Sequence, residues 1–120
     1  MPQKKILVVD DDPTQVKLLQ GVLTQNGYAI TVAQEAADGL NIAMKTQPDL
    51  IILDVMMPVI NGYNFCRLLK QEKKHIPVIL LTSRDDVDDI KIGKEMGADV
   101  YLTKPVNTEL LLNELKRLLP

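Results

Sequence analysis

Short apolar runs alternate along this chain with stretches whose apolar residues recur at helical spacing. Lys5–Val9, Leu50–Leu53 and Pro77–Leu81 are dominated by branched aliphatic residues with no polar alternation, the pattern of strands buried on both faces. Tyr28–Ala33 is a shorter, weaker run, and Asp99–Leu102 supplies a fifth. After the first run, Asp12-Pro13 has the form of a helix N-cap followed by proline at the first helical position, with Gln15 three residues after the cap. Val16, Leu19 and Leu23 then repeat at helical spacing, and Gly27 is a stop. Further helices are predicted over Glu35–Lys45, where Gly39 weakens the pattern, and over about Tyr63–Lys73, after a turn through Pro58 and Asn61-Gly62. Two more follow: one opened by the Ser83–Asp86 capping box and ending at Gly97, and one capped by Asn107 with Leu111, Leu115 and Leu118 on its apolar stripe. A fivefold strand–helix alternation predicts an α/β fold, a parallel sheet sandwiched between helices.

The helix expected between Ser83 and Gly97 is the weak member. It carries Asp85, Asp86, Asp88 and Asp89, and Gly93 in its interior costs about 1 kcal/mol relative to alanine. Two readings fit: an element that a partner repositions, or a solvated acidic face.

A length of 120 residues, 46% hydrophobic and 25% charged, corresponds to one globular domain able to bury a real core. No apolar stretch is long enough to cross a bilayer, and the start MPQKKILVV lacks the features of a signal peptide, so a cytoplasmic location is the default expectation. Cys66 stands alone, which excludes an internal disulfide or a cysteine-rich metal site. A formal net charge of −2 and the absence of tryptophan, with three tyrosines and one phenylalanine, argue against direct nucleic-acid binding.

Chemistry concentrates where the apolar runs end. Asp10-Asp11-Asp12, Asp54, Thr82-Ser83 and Lys104 each follow a strand, and in an open α/β sheet the carboxyl ends of the strands share the edge where ligands bind. Three adjacent carboxylates facing a fourth would repel one another, so the cluster implies a cation. All-oxygen ligands with room for water suit Mg²⁺, with Mn²⁺ as a substitute. Asp12 is better read as the helix cap, and spacing leaves open which acid binds directly. Beside such an ion Asp54 could act as a carboxylate nucleophile toward phosphorus. Thr82 offers a hydroxyl to a phosphoryl oxygen, although a lone strand-end threonine is more often a cap. Lys104 offers a compact positive charge, and a cis peptide before Pro105 could aim it into the crevice. His75 lies in the loop before the fourth strand and reads as a surface residue.

Asp10-Asp11, Asp54 with Met57-Pro58 and Gly62, Thr82-Ser83, and Gly97-Ala98-Asp99 through Tyr101 to Lys104-Pro105 together carry a resemblance. In this ordered set the chain closely resembles the receiver domain of bacterial two-component response regulators, chemotaxis-regulator-like, across residues 1–120. The resemblance implies a single doubly wound (βα)5 domain with flavodoxin-like strand order 2-1-3-4-5. It makes Asp54 the phospho-acceptor, with Mg²⁺ held by Asp11, by Asp10 through water, by Asp54 and by the main-chain carbonyl of Met56. Lys104 would contact the phosphoryl group, Thr82 would move toward it, and Tyr101 would follow by rotating inward, with Pro105 part of the same switch. Met56 and Arg84 would flank the group and hinder an attacking water, so a long-lived phosphoryl state is expected.

The implied partners are a sensor histidine kinase or phosphotransfer protein and a downstream effector, and a phosphorylation-dependent dimer is compatible with the family. On this reading the domain catalyses only its own phosphorylation and dephosphorylation and is no conventional enzyme. A phosphorylation-independent interaction module of the same fold is the alternative. A magnesium-dependent phosphatase fits less well, because Met56 stands where a second aspartate would serve as general acid. The chain reads equally as a free-standing receiver or as one excised from a longer protein.

Overall fold

The computed structural model describes residues 3–55, 62–73, 75–82, 91 and 94–119. In chain order these form β1 (Lys5–Val9), α1 (Pro13–Gln25), β2 (Ala29–Ala33), α2 (Ala36–Thr46), β3 (Leu50–Asp54), α3 (Gly62–Glu72), β4 (Val78–Thr82), β5 (Val100–Thr103) and α4 (Thr108–Leu118). The five strands are parallel and lie in the order β2-β1-β3-β4-β5, as the family resemblance implied. The helix expected from Ser83 to Gly97, with its capping box, lies mostly outside the described residues; the backbone is helical at Lys91, Lys94 and Glu95.

Alternation along the strands divides the core into two layers. Ile6 and Val8 of β1, Leu50 and Ile52 of β3, Ile79 and Leu81 of β4 and Leu102 of β5 pack with Leu19 and Leu23 of α1 and Leu111 and Leu115 of α4. The intervening Leu7, Val9, Ile51, Leu53, Val78 and Leu80 pack on the other face with Ala36 and Ala43 of α2 and Phe65 and Leu69 of α3. Every residue of β3 and β4 is buried, which is why those runs show no polar alternation in sequence.

The helix ends follow local chemistry. Asp12 caps α1 by accepting the Thr14 N–H at 3.0 Å, and Pro13 fills the first position. The reciprocal half of a capping box does not form: the Asp12 N–H is donated to Asp10 Oδ1 at 2.9 Å instead of to Gln15. Gly39 is a packing requirement as well as a weak helix former, because a Cβ there would sit 2.8 Å from Val9 Cγ2 and 2.9 Å from Val9 Cγ1. Gln47 ends α2 in the left-handed conformation at φ 47, a stop the sequence did not advertise.

A polar knot holds the amino edge of the sheet. Lys70 Nζ, at the end of α3, donates to Ile76 O at 2.7 Å and to Asp99 Oδ2 at 3.0 Å, and the same carboxylate oxygen accepts the Val78 N–H at 2.8 Å. The starts of β4 and β5 are thereby tied to one helix terminus, where the lysine charge also suits the negative end of the helix dipole. His75 is exposed at that edge, remote from the strand ends that carry the acids.

Candidate functional site

The parallel register brings the carboxyl ends of β1, β3, β4 and β5 side by side, and the pairing continues one step past the strands. The Asp10 N–H donates to Ala33 O at 3.0 Å, the Val55 N–H to Leu81 O at 2.9 Å and the Lys104 N–H to Thr82 O at 2.6 Å. Because the ladder persists, so does side-chain alternation, which sequence spacing alone left undetermined. Asp10 continues the row of Ile6 and Val8, Asp54 that of Leu50 and Ile52, and Lys104 that of Leu102, so all three belong to the layer covered by α1 and α4. Thr82 continues the row of Val78 and Leu80, and Tyr101 packs against the same opposite layer, beneath α2 and α3.

Four of the predicted residues, Asp10, Asp11, Asp54 and Lys104, come together. Carboxylate oxygens of Asp10, Asp11 and Asp54 all lie within 4.8 Å of one another, and Lys104 Nζ stands 3.2 Å from Asp54 Oδ2. Asp10 and Asp54 are buried, at 1% and 3% exposure, whereas Asp11 is exposed. Thr82 is fully buried at the end of β4, and Tyr101 is half-buried. The Lys104–Pro105 peptide is cis. Asp12 lies in the adjoining turn with its Oδ1 engaged as the cap of α1, in keeping with the structural role expected for it. Met56, Met57, Pro58 and Arg84 lie outside the described residues, and with them the expected main-chain metal ligand and the two flanking side chains.

Electrostatics set Asp10 apart from an ordinary surface carboxylate. Burial pushes the Asp10 carboxyl up from 3.8 to about 6, against the pull of the Asp12 N–H; the negative charge of Asp54 adds to the rise and the Lys104 ammonium opposes it. Asp10 Oδ2 is sealed from solvent and has no hydrogen-bond partner. A buried carboxylate oxygen without a donor, beside two more carboxylates, is a hard-oxygen donor set that fits a small divalent cation with retained waters. Cys66, on the buried face of α3 with its thiol pushed up to about 11 by burial, belongs to the opposite layer of the core. One polar group near this edge escaped attention as anything but a cap: the Gln15 side chain, whose Nε2 is also buried without a partner.

Comparison with known proteins agrees with this arrangement. The family model of the response regulator receiver domain matches residues 6–116. Over 102 residues the chain is 45% identical to the alkaline phosphatase synthesis transcriptional regulatory protein PhoP of Bacillus subtilis, covering 85% of this chain and 42% of PhoP. It is 38% identical to the protein PilH of Pseudomonas aeruginosa, covering 96% of this chain and 97% of PilH. The chain spans about half the length of several other curated relatives, among them the response regulator MprA of Mycobacterium sp. and the regulatory protein SphR of Synechococcus elongatus. Among solved structures, the chemotaxis protein CheY4 of Vibrio cholerae superimposes with a TM-score of 0.92 at 33% identity, covering 98% of this chain and 100% of that one. The chain belongs to the response regulator receiver domain family of two-component systems.

Proposed function

We propose that this receiver domain takes a phosphoryl group onto Asp54 from a phosphohistidine of a sensor histidine kinase or phosphotransfer protein, and that the modified form binds a downstream effector differently. The observation that carries this reading is the single arrangement of Asp10, Asp11 and Asp54 within 4.8 Å, with Lys104 Nζ 3.2 Å from the Asp54 carboxylate. Phosphoryl transfer asks a protein for positioning and charge neutralisation more than for covalent chemistry beyond the acceptor itself.

Each residue then has a task. Asp54 is the nucleophile: one carboxylate oxygen forms the new bond to phosphorus as the bond to the donor nitrogen breaks, giving an aspartyl-phosphate. Lys104 holds the Asp54 carboxylate before transfer and neutralises phosphoryl oxygens as their charge develops. Asp10, Asp11 and Asp54 would hold Mg²⁺, which when bound supplies positive charge and a fixed template for the phosphoryl oxygens. Thr82 donates its hydroxyl to the product, and drawing it in favours the conformation in which Tyr101 turns inward.

The site serves self-modification, so the domain acts as a phosphorylation-controlled module and not as an enzyme turning over an external substrate. A cytoplasmic location suits a kinase-coupled module, and no helix among the described residues is long and apolar enough to cross a membrane. Incubation with acetyl phosphate and Mg²⁺ followed by intact-mass measurement tests the assignment. The expected result is a single phosphoryl adduct that Asp54→Asn and chelation each abolish. An unmodified mass under these conditions would favour the phosphate-independent interaction module.

A further inference from the structure

We infer that Gln15 is a positioning residue for the metal site, acting on Asp10 through a shared buried water; the inference rests on the acid cluster being a Mg²⁺ site. Two side-chain atoms among the described residues are sealed from solvent without a hydrogen-bond partner, Asp10 Oδ2 and Gln15 Nε2. They are complementary, one an acceptor and the other a donor, and they are not hydrogen-bonded to each other. Buried polar groups of native proteins find partners in protein or ordered water, and an orphaned one is destabilising.

Strand alternation and helical spacing assign both side chains to the same layer at the same end of the sheet. Asp10 continues the row of Ile6 and Val8, on the side covered by α1. Gln15 precedes Leu19 by one helical turn, and Leu19 is fully buried in that layer, so the two side chains share the face of α1 turned to the sheet. Helical side chains lean toward the N-terminus, which for α1 is the edge bearing the acids. The usual role of a residue at this helix position is already taken, because the Asp12 N–H that Gln15 would cap is donated to Asp10 Oδ1.

One water satisfies both orphans: it accepts from Gln15 Nε2 and donates to Asp10 Oδ2. With Oδ1 held by the Asp12 amide and Oδ2 by the water, the Asp10 carboxylate cannot rotate, and it meets the hydration shell of the cation in one orientation. Partners of this outer kind fix ligand geometry, and their loss weakens metal binding.

Gln15→Met keeps the length and volume of the side chain and removes the donor. In ¹H–¹⁵N spectra of the wild-type domain, the Gln15 side-chain amide resonances are expected to be shielded from solvent exchange and to shift on MgCl₂ titration. In Gln15→Met the Mg²⁺ dissociation constant is expected to rise about three- to tenfold, the worth of one hydrogen bond, with urea stability in chelator unchanged or higher. In an Asp10→Asn background Gln15→Met should add no further loss of affinity. If Gln15→Met titrates like wild type, or if its loss of affinity persists undiminished in Asp10→Asn, the inference fails while the metal reading stands. If the wild-type spectrum ignores Mg²⁺, the metal reading fails and takes the inference with it.

Discussion

Replacing Asp10 by asparagine should make the metal-free domain more stable while weakening its grip on Mg²⁺. Asp10 is 1% exposed and faces Asp54, and its carboxyl is raised from 3.8 to about 6, chiefly by burial. A folded-state value above the unfolded one means that the native state holds its proton more tightly. The contribution of Asp10 to native stability is therefore fully present below pH 3.8 and is lost as pH rises through about 6. Over that window, ionising Asp10 costs the native state on the order of a few kcal/mol at pH 7.5 and roughly half as much at pH 5. Asparagine removes the ionisation, keeps an oxygen for the Asp12 N–H and offers an amide donor to Asp54. Urea unfolding followed by far-ultraviolet circular dichroism in chelator should therefore show Asp10→Asn ahead by 2–3 kcal/mol at pH 7.5, roughly 10 °C in Tm. At pH 5 the margin should be about halved. Excess Mg²⁺ should narrow it further, since the wild type gains about 2.7 kcal/mol at a hundred times its dissociation constant. An asparagine variant no more stable than wild type at pH 7.5, or a margin that ignores pH, would refute the reasoning.

Two glycines in helices should respond oppositely to alanine. Gly39→Ala gains about 1 kcal/mol of helix propensity but drives a methyl against the stiff Val9 side chain, an overpacking cost of about 1–3 kcal/mol, so urea unfolding should show a net loss. Gly21→Ala, with nothing within 4 Å of the added Cβ, should gain up to about 1 kcal/mol in the same assay. The Cys66 thiol, buried and raised to about 11, should resist Ellman's reagent at pH 8 in the native protein and react on addition of urea. Rapid native labelling would mean that the core under α3 opens more readily than its packing implies.

The fold was legible because β1, β3 and β4 carry unbroken aliphatic runs, which only a sheet covered on both faces requires. The convergence of Asp10, Asp54 and Lys104 followed from topology, since parallel strands put their carboxyl ends at one edge. What spacing could not supply was orientation. Whether Asp10 or Asp11 turns inward depends on the ladder running one residue past β1, a tertiary fact fixed by the Ala33 carbonyl on the neighbouring strand. The capping box at Asp12 and Gln15 failed for the same kind of reason, as Asp10 competes for the amide from outside the helix. The knot of Lys70, Ile76 and Asp99 spans 29 positions between its charged partners, and nothing in the local pattern of α3 marks that lysine out. Gly39 read as a flaw because helix propensity is local, whereas the Val9 methyl groups that require it belong to another strand.

The sheet is a partition as well as a scaffold. The acceptor and its ammonium sit on one side of it, while the threonine and tyrosine expected to respond belong to the other. A phosphoryl group on Asp54, as proposed, would add its charge beneath α1 and α4 and reach the other layer around the tips of β4 and β5, where backbone pairing ends. The opposite margin is held by the Lys70–Asp99 ion pair and the Val78 amide, which fixes the starts of β4 and β5 rather than their ends. On the proposed function, a modification recorded in one compartment would be read out as repacking in the next, with the strand termini as the fulcrum.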